Sequence, residues 1–170
     1  MRRSLIRFWL PVVAIAALLV VTAAAAWFRL PAIDSAVVVT TIKGEKISLP
    51  SLAGRVVLVN FWAPSCAPCV HEMPMLADTY SKLHGRGFDV IAVAANSDPP
   101  NIVVDYAQTR HLPFAIALDI DDSVAKAFGG LRAVPSTFLI GRDGRIVWHV
   151  EGALDPDALH KVLERELGPG

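Results

Sequence analysis

The feature that most constrains this chain is its pair of cysteines, Cys66 and Cys69, the only two in 170 residues. They sit where one hydrophobic pattern gives way to another. Before them, Val56 to Trp62 (Val-Val-Leu-Val-Asn-Phe-Trp) is almost continuously apolar, the pattern of a strand buried on both faces. After them the pattern predicts a helix from about Cys66 to His84, closed by Gly85 and Gly87. A cysteine in the first turn of a helix meets unpaired backbone N–H groups and the positive end of the helix dipole. Both stabilise a thiolate, which is the attacking form of the side chain. This placement makes Cys66, at the exposed start of the turn, the expected nucleophile. Cys69, deeper in the helix, is then the thiol that attacks the mixed disulfide and releases the product.

Other uses of such a pair fit less well. A structural disulfide spanning so few residues constrains little chain entropy. A structural zinc site needs four ligands, and only one such pair exists. Covalent haem attachment needs histidine directly after the second cysteine, where Val70 stands. Copper binding by Cys66, Cys69 and a histidine stays open as a non-enzymatic alternative.

The other strong feature lies at the N-terminus. Phe8 to Phe28 is a run of 21 residues without a charge, enough for a helix of roughly 30 Å, the thickness of a bilayer's hydrocarbon core. Arg2, Arg3 and Arg7 precede it, so the positive-inside rule predicts a cytoplasmic N-terminus and an exported remainder. The run exceeds the usual apolar core of a signal peptide, which favours a retained anchor, although Ala23 to Ala26 offer residues that signal peptidase accepts. Without the three arginines, 13 basic and 16 acidic residues remain. No basic surface is implied, which argues against nucleic acid as a partner. The expected organisation is therefore an anchor over 1–28, a linker over 29–36 and a single domain over 37–170.

Within that domain, Val37–Ile42 and Glu45–Leu49 flank Lys43-Gly44 as a predicted hairpin. Strands are predicted at Phe88–Ala95 and Phe114–Leu118, and helices at Asn101–Arg110, with Asn101 as cap, and Asp121–Phe128. Ser136–Ile140 and Arg145–Val150 form a second predicted hairpin around Arg142-Asp143-Gly144. A last helix begins at Asp155, with Leu159, Val162, Leu163 and Leu167 on its inner stripe. Alternating strands and helices followed by a hairpin and helix indicate an α/β fold with a mixed sheet.

The segment Val59-Asn60-Phe61-Trp62-Ala63-Pro64-Ser65-Cys66-Ala67-Pro68-Cys69 resembles the active-site segment of thioredoxin-like proteins. Together with Glu72-Met73-Pro74 and Val134-Pro135-Ser136-Thr137-Phe138, it is similar to the TlpA/ResA group of extracytoplasmic thiol–disulfide oxidoreductases. The likeness runs from about Val37 to the C-terminus. It implies a thioredoxin-like fold, a mixed central sheet flanked by helices, with an N-terminal β-hairpin extension and a central insertion behind the transmembrane helix. It implies a cis bond before Pro135, with Val134, Pro135 and Trp62 beside the bound substrate, and a proton-transfer role for Glu72, which shares a helix face with Cys69. The implied partners are disulfides of exported proteins such as apocytochrome c, with electrons from a membrane thiol reductase and no cofactor. Asn60 stands where cytosolic thioredoxins carry aspartate, which points to the extracytoplasmic branch. Pro68 resembles the motif of reducing members. A related peroxiredoxin reading looks for threonine or serine three residues before the reactive cysteine, where this chain has Ala63. One departure concerns docking: family members usually carry tryptophan directly before the first cysteine, and this chain has Ser65.

Overall fold

The structure, a computed structural model, describes residues 37–168. The expected anchor over 1–28 and linker over 29–36 lie outside the described residues. Among the described residues no helix is long and apolar enough to cross a membrane.

The centre of the fold is the apolar run itself. β3 (Val56–Trp62) is buried along its whole length. It pairs in parallel with β4 (Phe88–Ala94), which pairs in parallel with β5 (Ala115–Leu118). On its other side it pairs antiparallel with β6 (Ser136–Ile140), and β6 with β7 (Ile146–Glu151). The five-stranded order is thus β5-β4-β3-β6-β7. A separate hairpin of β1 (Val38–Thr40) and β2 (Lys46–Ser48) precedes it, and Thr41 bridges to Ala117 on β5. The helices are α1 (Ala67–Leu83), α2 (Pro100–Thr109), α3 (Ser123–Ala127) and α4 (Pro156–Leu167).

Strand periodicity divides the core into two layers. Val56, Leu58 and Trp62 face one side, where they pack with Met73 and Leu76 of α1, Val103 of α2, and Leu159 and Leu163 of α4. Val57, Val59 and Phe61 face the other, against Val39, Val124, Phe128 and Phe138. Phe61, Phe128 and Phe138 form an edge-on aromatic cluster there, with ring centroids 4.9–5.9 Å apart. Each fully buried large side chain contributes about 1.5–3 kcal/mol of transfer free energy, so the two layers anchor β3 from both sides. Asn60 is the exception on the α1-facing side, a polar residue held at full burial between Leu58 and Trp62.

Several boundaries differ from the sequence expectation, each for a local reason. The first hairpin keeps only three residues per strand, because Pro50 turns the chain into a 3-10 helix over Leu49–Leu52. Its turn is closed by Gly44 at φ 81°, with the Gly44 N–H donating to the Thr41 carbonyl at 2.9 Å. The second helix starts at Pro100 with Pro99 as cap residue, so Asn101 is not the cap. Proline suits a first turn because the N–H it lacks would be unpaired there anyway. The third helix shortens to Ser123–Ala127, bounded by left-handed Asp122 at φ 57° and by Gly129 and Gly130. The last begins at Pro156, with Asp155 Oδ1 accepting from the N–H groups of Asp157 and Ala158.

Candidate active site

The cysteine pair occupies the junction between β3 and α1. The chain leaves the sheet at Trp62, turns through Ala63-Pro64-Ser65, and enters the helix with Cys66 as its cap residue rather than its first helical residue. The turn is closed by the Cys66 N–H donating to the Ala63 carbonyl at 3.1 Å. Cys66 Sγ accepts the N–H of Cys69 at 3.3 Å. The sulfur therefore fills the place that a serine or aspartate oxygen takes in an ordinary N-cap. Pro68 lies within the first helical turn, where its missing N–H leaves nothing unpaired. Cys66 and Cys69 are joined by a disulfide with Cα atoms 5.2 Å apart. The two sulfurs differ in access: Cys66 is half-buried, whereas Cys69 is fully buried against the core.

The segment ahead of β6 meets the pair from the side. The Val134–Pro135 peptide bond is cis. The Val134 carbonyl oxygen lies 3.6 Å from Cys66 Sγ, so this backbone flanks the reactive sulfur. Val134 is half-buried and Pro135 buried, and the Pro135 carbonyl accepts the Gly152 N–H at 2.8 Å. Trp62 requires a correction. It is 0% exposed and packs on the Tyr106 ring at a centroid distance of 5.2 Å. It supports the turn from beneath and presents no surface to a substrate.

Glu72 is drawn into the fold rather than left on the helix surface. It belongs to the inward stripe of α1 with Cys69, Met73, Leu76 and Thr79. Its Oε1 accepts the Asn60 side-chain amide at 2.8 Å, and its Oε2 accepts the Leu154 backbone N–H at 3.1 Å. Asn60 Nδ2 also donates to Thr137 Oγ1 on β6 at 2.9 Å. One polar network thus ties α1, β3, β6 and the loop ahead of α4 together. Burial drives the Glu72 carboxyl above the ordinary glutamate value, and the bonds from Leu154 and Asn60 only partly offset that. His71, by contrast, is exposed. α1 runs on through Pro74, which is exposed.

Two features of the site escape a sequence reading. The first is the pairing of Asn60 with Glu72. Its only signal is a polar residue at an inward position of an apolar strand, which must find a partner. The second is Asp98, in the loop after β4. Its Oδ2 accepts the Ser65 hydroxyl at 2.7 Å and the Ser65 N–H at 3.3 Å, with the Ser97 hydroxyl at 3.4 Å. Nothing in the local sequence of either segment signals that contact. Among the described residues no three or more His, Cys, Asp or Glu side chains gather as a metal site requires, so the copper alternative draws no support from the geometry.

Comparison with known proteins places this arrangement in a family. The Redoxin family model matches residues 29–165. The thiol-disulfide oxidoreductase ResA of Bacillus thuringiensis is 33% identical over 129 residues, covering 75% of this chain and 73% of that protein. ResA of Halalkalibacterium halodurans is 34% identical over 127 residues, covering 75% and 71%. Among solved structures, StoA from Bacillus subtilis superposes with a TM-score of 0.67 at 26% identity, covering 79% of this chain and all of that one. A thiol:disulfide interchange protein of the thioredoxin family from Chlorobium tepidum gives 0.71 at 23% identity, covering 82% and 96%, a likeness of fold. With a Cys-X-X-Cys disulfide capping α1 on a thioredoxin-like mixed sheet, the chain belongs to the redoxin family and is a thiol–disulfide oxidoreductase of the ResA type.

Proposed function

We propose that this oxidoreductase works as a reductant of protein disulfides on the outer side of a membrane, tethered by the apolar segment over 8–28. The observation that carries the proposal is the asymmetry of the pair. Cys66 caps a helix and is reachable, with its sulfur taking the Cys69 N–H, while Cys69 is buried. In the dithiol form the Cys66 thiolate attacks one sulfur of a substrate disulfide and expels the other as a thiolate, which takes up a proton. A mixed disulfide remains between Cys66 and the substrate. Cys69 then loses its proton and attacks Cys66 Sγ, closing the internal disulfide and releasing the second substrate thiol. Two electrons and two protons pass to the substrate, so each turnover needs an external dithiol to reset the pair.

Glu72 fits the proton step at Cys69. The two share the buried stripe of α1, and a carboxylate that burial makes reluctant to ionise is a better proton acceptor than an exposed one. Val134 and Pro135 flank the incoming sulfur and hold the substrate chain beside Cys66. The reducing direction is supported by Pro68, which resembles the motif of reducing thioredoxins. Its substrates are then disulfides of exported proteins, apocytochrome c among them, with electrons from a membrane thiol reductase.

Monothiol trapping tests the order of events. Cys69→Ser is expected to accumulate a mixed disulfide through Cys66, and trapping through Cys69 in Cys66→Ser instead would reverse the roles. Equilibration with glutathione tests direction. A potential near about −270 mV marks a reductant, and one near about −120 mV an oxidant.

A further inference from the structure

The position directly before Cys66 is occupied by Ser65, and Ser65 is not idle. Its hydroxyl and its backbone N–H both donate to Asp98 Oδ2, at 2.7 and 3.3 Å. The Ser97 hydroxyl adds a longer contact to the same oxygen at 3.4 Å. Asp98 stands at the end of the loop that leaves β4, immediately before Pro99 and Pro100, which open α2. Its own backbone is stiffened by the prolines that follow, and its side chain is half-buried. A carboxylate is therefore fixed against the residue that directly precedes the nucleophile Cys66, by donors from two different loops.

We infer that Asp98 is a positioning residue of the redox turn, which holds the Ser65–Cys66 backbone in its capping geometry and places a fixed negative charge that disfavours the Cys66 thiolate. The mechanical part follows from the bonds. Ser65 N–H is a donor in a tight turn with no helix or strand partner, and a charge-assisted bond from an acceptor on the neighbouring loop pins it. The electrical part follows from sign. The N-terminus of α1 stabilises a thiolate at Cys66, and a neighbouring carboxylate opposes it. Other charged or titratable groups on the surrounding elements are His71 and buried Glu72 on α1, Asp122 and Lys126 around α3, and Arg132 on the loop before Pro135. None of these bonds to the segment Ala63-Pro64-Ser65-Cys66 as Asp98 does. Disfavouring the thiolate destabilises the dithiol form relative to the disulfide, and so keeps the pair a stronger reductant. A serine before the cysteine adds a hydroxyl donor to the backbone N–H, a second bond to that carboxylate that a phenylalanine-like side chain would not supply.

This inference rests on the reading of Cys66 and Cys69 as the redox pair, and the experiment separates the two. The full-length chain is equilibrated with glutathione buffers, and the fraction of dithiol is read by thiol alkylation. The wild-type chain must equilibrate reversibly; failure to do so overturns the redox reading itself. Asp98→Asn keeps an acceptor for Ser65 and removes the charge. It is expected to shift the equilibrium toward the dithiol by about threefold, with a matching rise in thiolate absorbance at fixed pH. Asp98→Glu restores the charge and should return the equilibrium toward wild type. Ser65→Ala leaves the charge but frees it to swing away, giving a smaller shift in the same direction. Asp98→Ser, read in the same way, carries the test if the asparagine variant does not fold. An unchanged equilibrium in the uncharged variants, or a shift toward the disulfide, overturns the proposal while leaving the redox reading intact.

Discussion

Two carboxylates are buried to nearly the same degree and are handled in opposite ways. Asp119, just past β5, is 2% exposed, and Glu72, on α1, is 5% exposed. Asp119 spends both oxygens on backbone: Oδ1 accepts the Val124 N–H at 2.9 Å, and Oδ2 accepts the Ala125 N–H at 2.7 Å. These are donors at the start of α3 that no helical carbonyl can take. Glu72 has one backbone donor, from Leu154, and one neutral side-chain amide, from Asn60, with the rest of its surroundings apolar. The first carboxyl group has a fixed backbone donor on each oxygen. At the second, burial is dominant and raises the carboxyl's affinity for a proton. A carboxylate that serves structure is surrounded by fixed donors. One suited to moving a proton is left short of them.

Three measurements can break or sharpen that contrast. The largest effect is expected at the structural site. Asp119→Ala strands two buried N–H groups and should cost about 3 kcal/mol in denaturant unfolding, with the rate of thiol exchange unchanged. A loss of exchange activity in a folded variant would erase the distinction. At the other site, Glu72→Gln should slow exchange by on the order of a hundredfold, the low end for a general base. Its pH dependence has a definite sign. The wild-type rate falls as pH drops through the raised value at which Glu72 takes a proton, and the variant lacks that step. Stability runs the other way. A folded value above the ordinary 4.5 means that the contribution of Glu72 is full below that value and is lost as pH climbs through the folded one. The wild type should thus lose stability relative to Glu72→Gln across that window. A flat difference contradicts the role. The smallest effect belongs to a third carboxylate, Asp89, which is partly exposed and pairs with Arg55 and, at 3.0 Å, with His84. Asp89→Asn should cost about 1 kcal/mol and leave exchange untouched, because the asparagine can still accept a hydrogen bond from Arg55.

What could be read ahead of the structure was whatever is encoded within a few consecutive residues. The burial of β3, the placement of Cys66 at the start of a helix and the inward stripe of α4 all follow from local pattern. The cis bond before Pro135 came from resemblance and not from physics, since the surrounding residues alone carry no such signal. Side-chain contacts between distant segments were not legible. Asp98 meets Ser65 across 33 positions, and Leu154 meets Glu72 across 82. Trp62, which the family resemblance sets beside the substrate, is another such case, because its ring is buried on Tyr106, a residue 44 positions away. Asn60 shows the reverse case, in which a lone polar residue in an apolar strand announces a network without naming its members.

The hairpin in front of the sheet has a consequence of its own. β5 is an outer strand of the five-stranded sheet and offers unpaired backbone groups on its free side. Thr41 bridges to Ala117 there, and the Ile42 N–H donates to the Ile116 carbonyl at 2.8 Å. An enzyme that handles the disulfides of other polypeptides meets extended chains constantly, and an open strand would capture them by backbone pairing regardless of whether they carried a disulfide. By filling that side with its own residues, the chain closes one route to sticky, unselective self-association or trapping of its clients, and leaves the sulfur at the end of β3 as a place where they can engage.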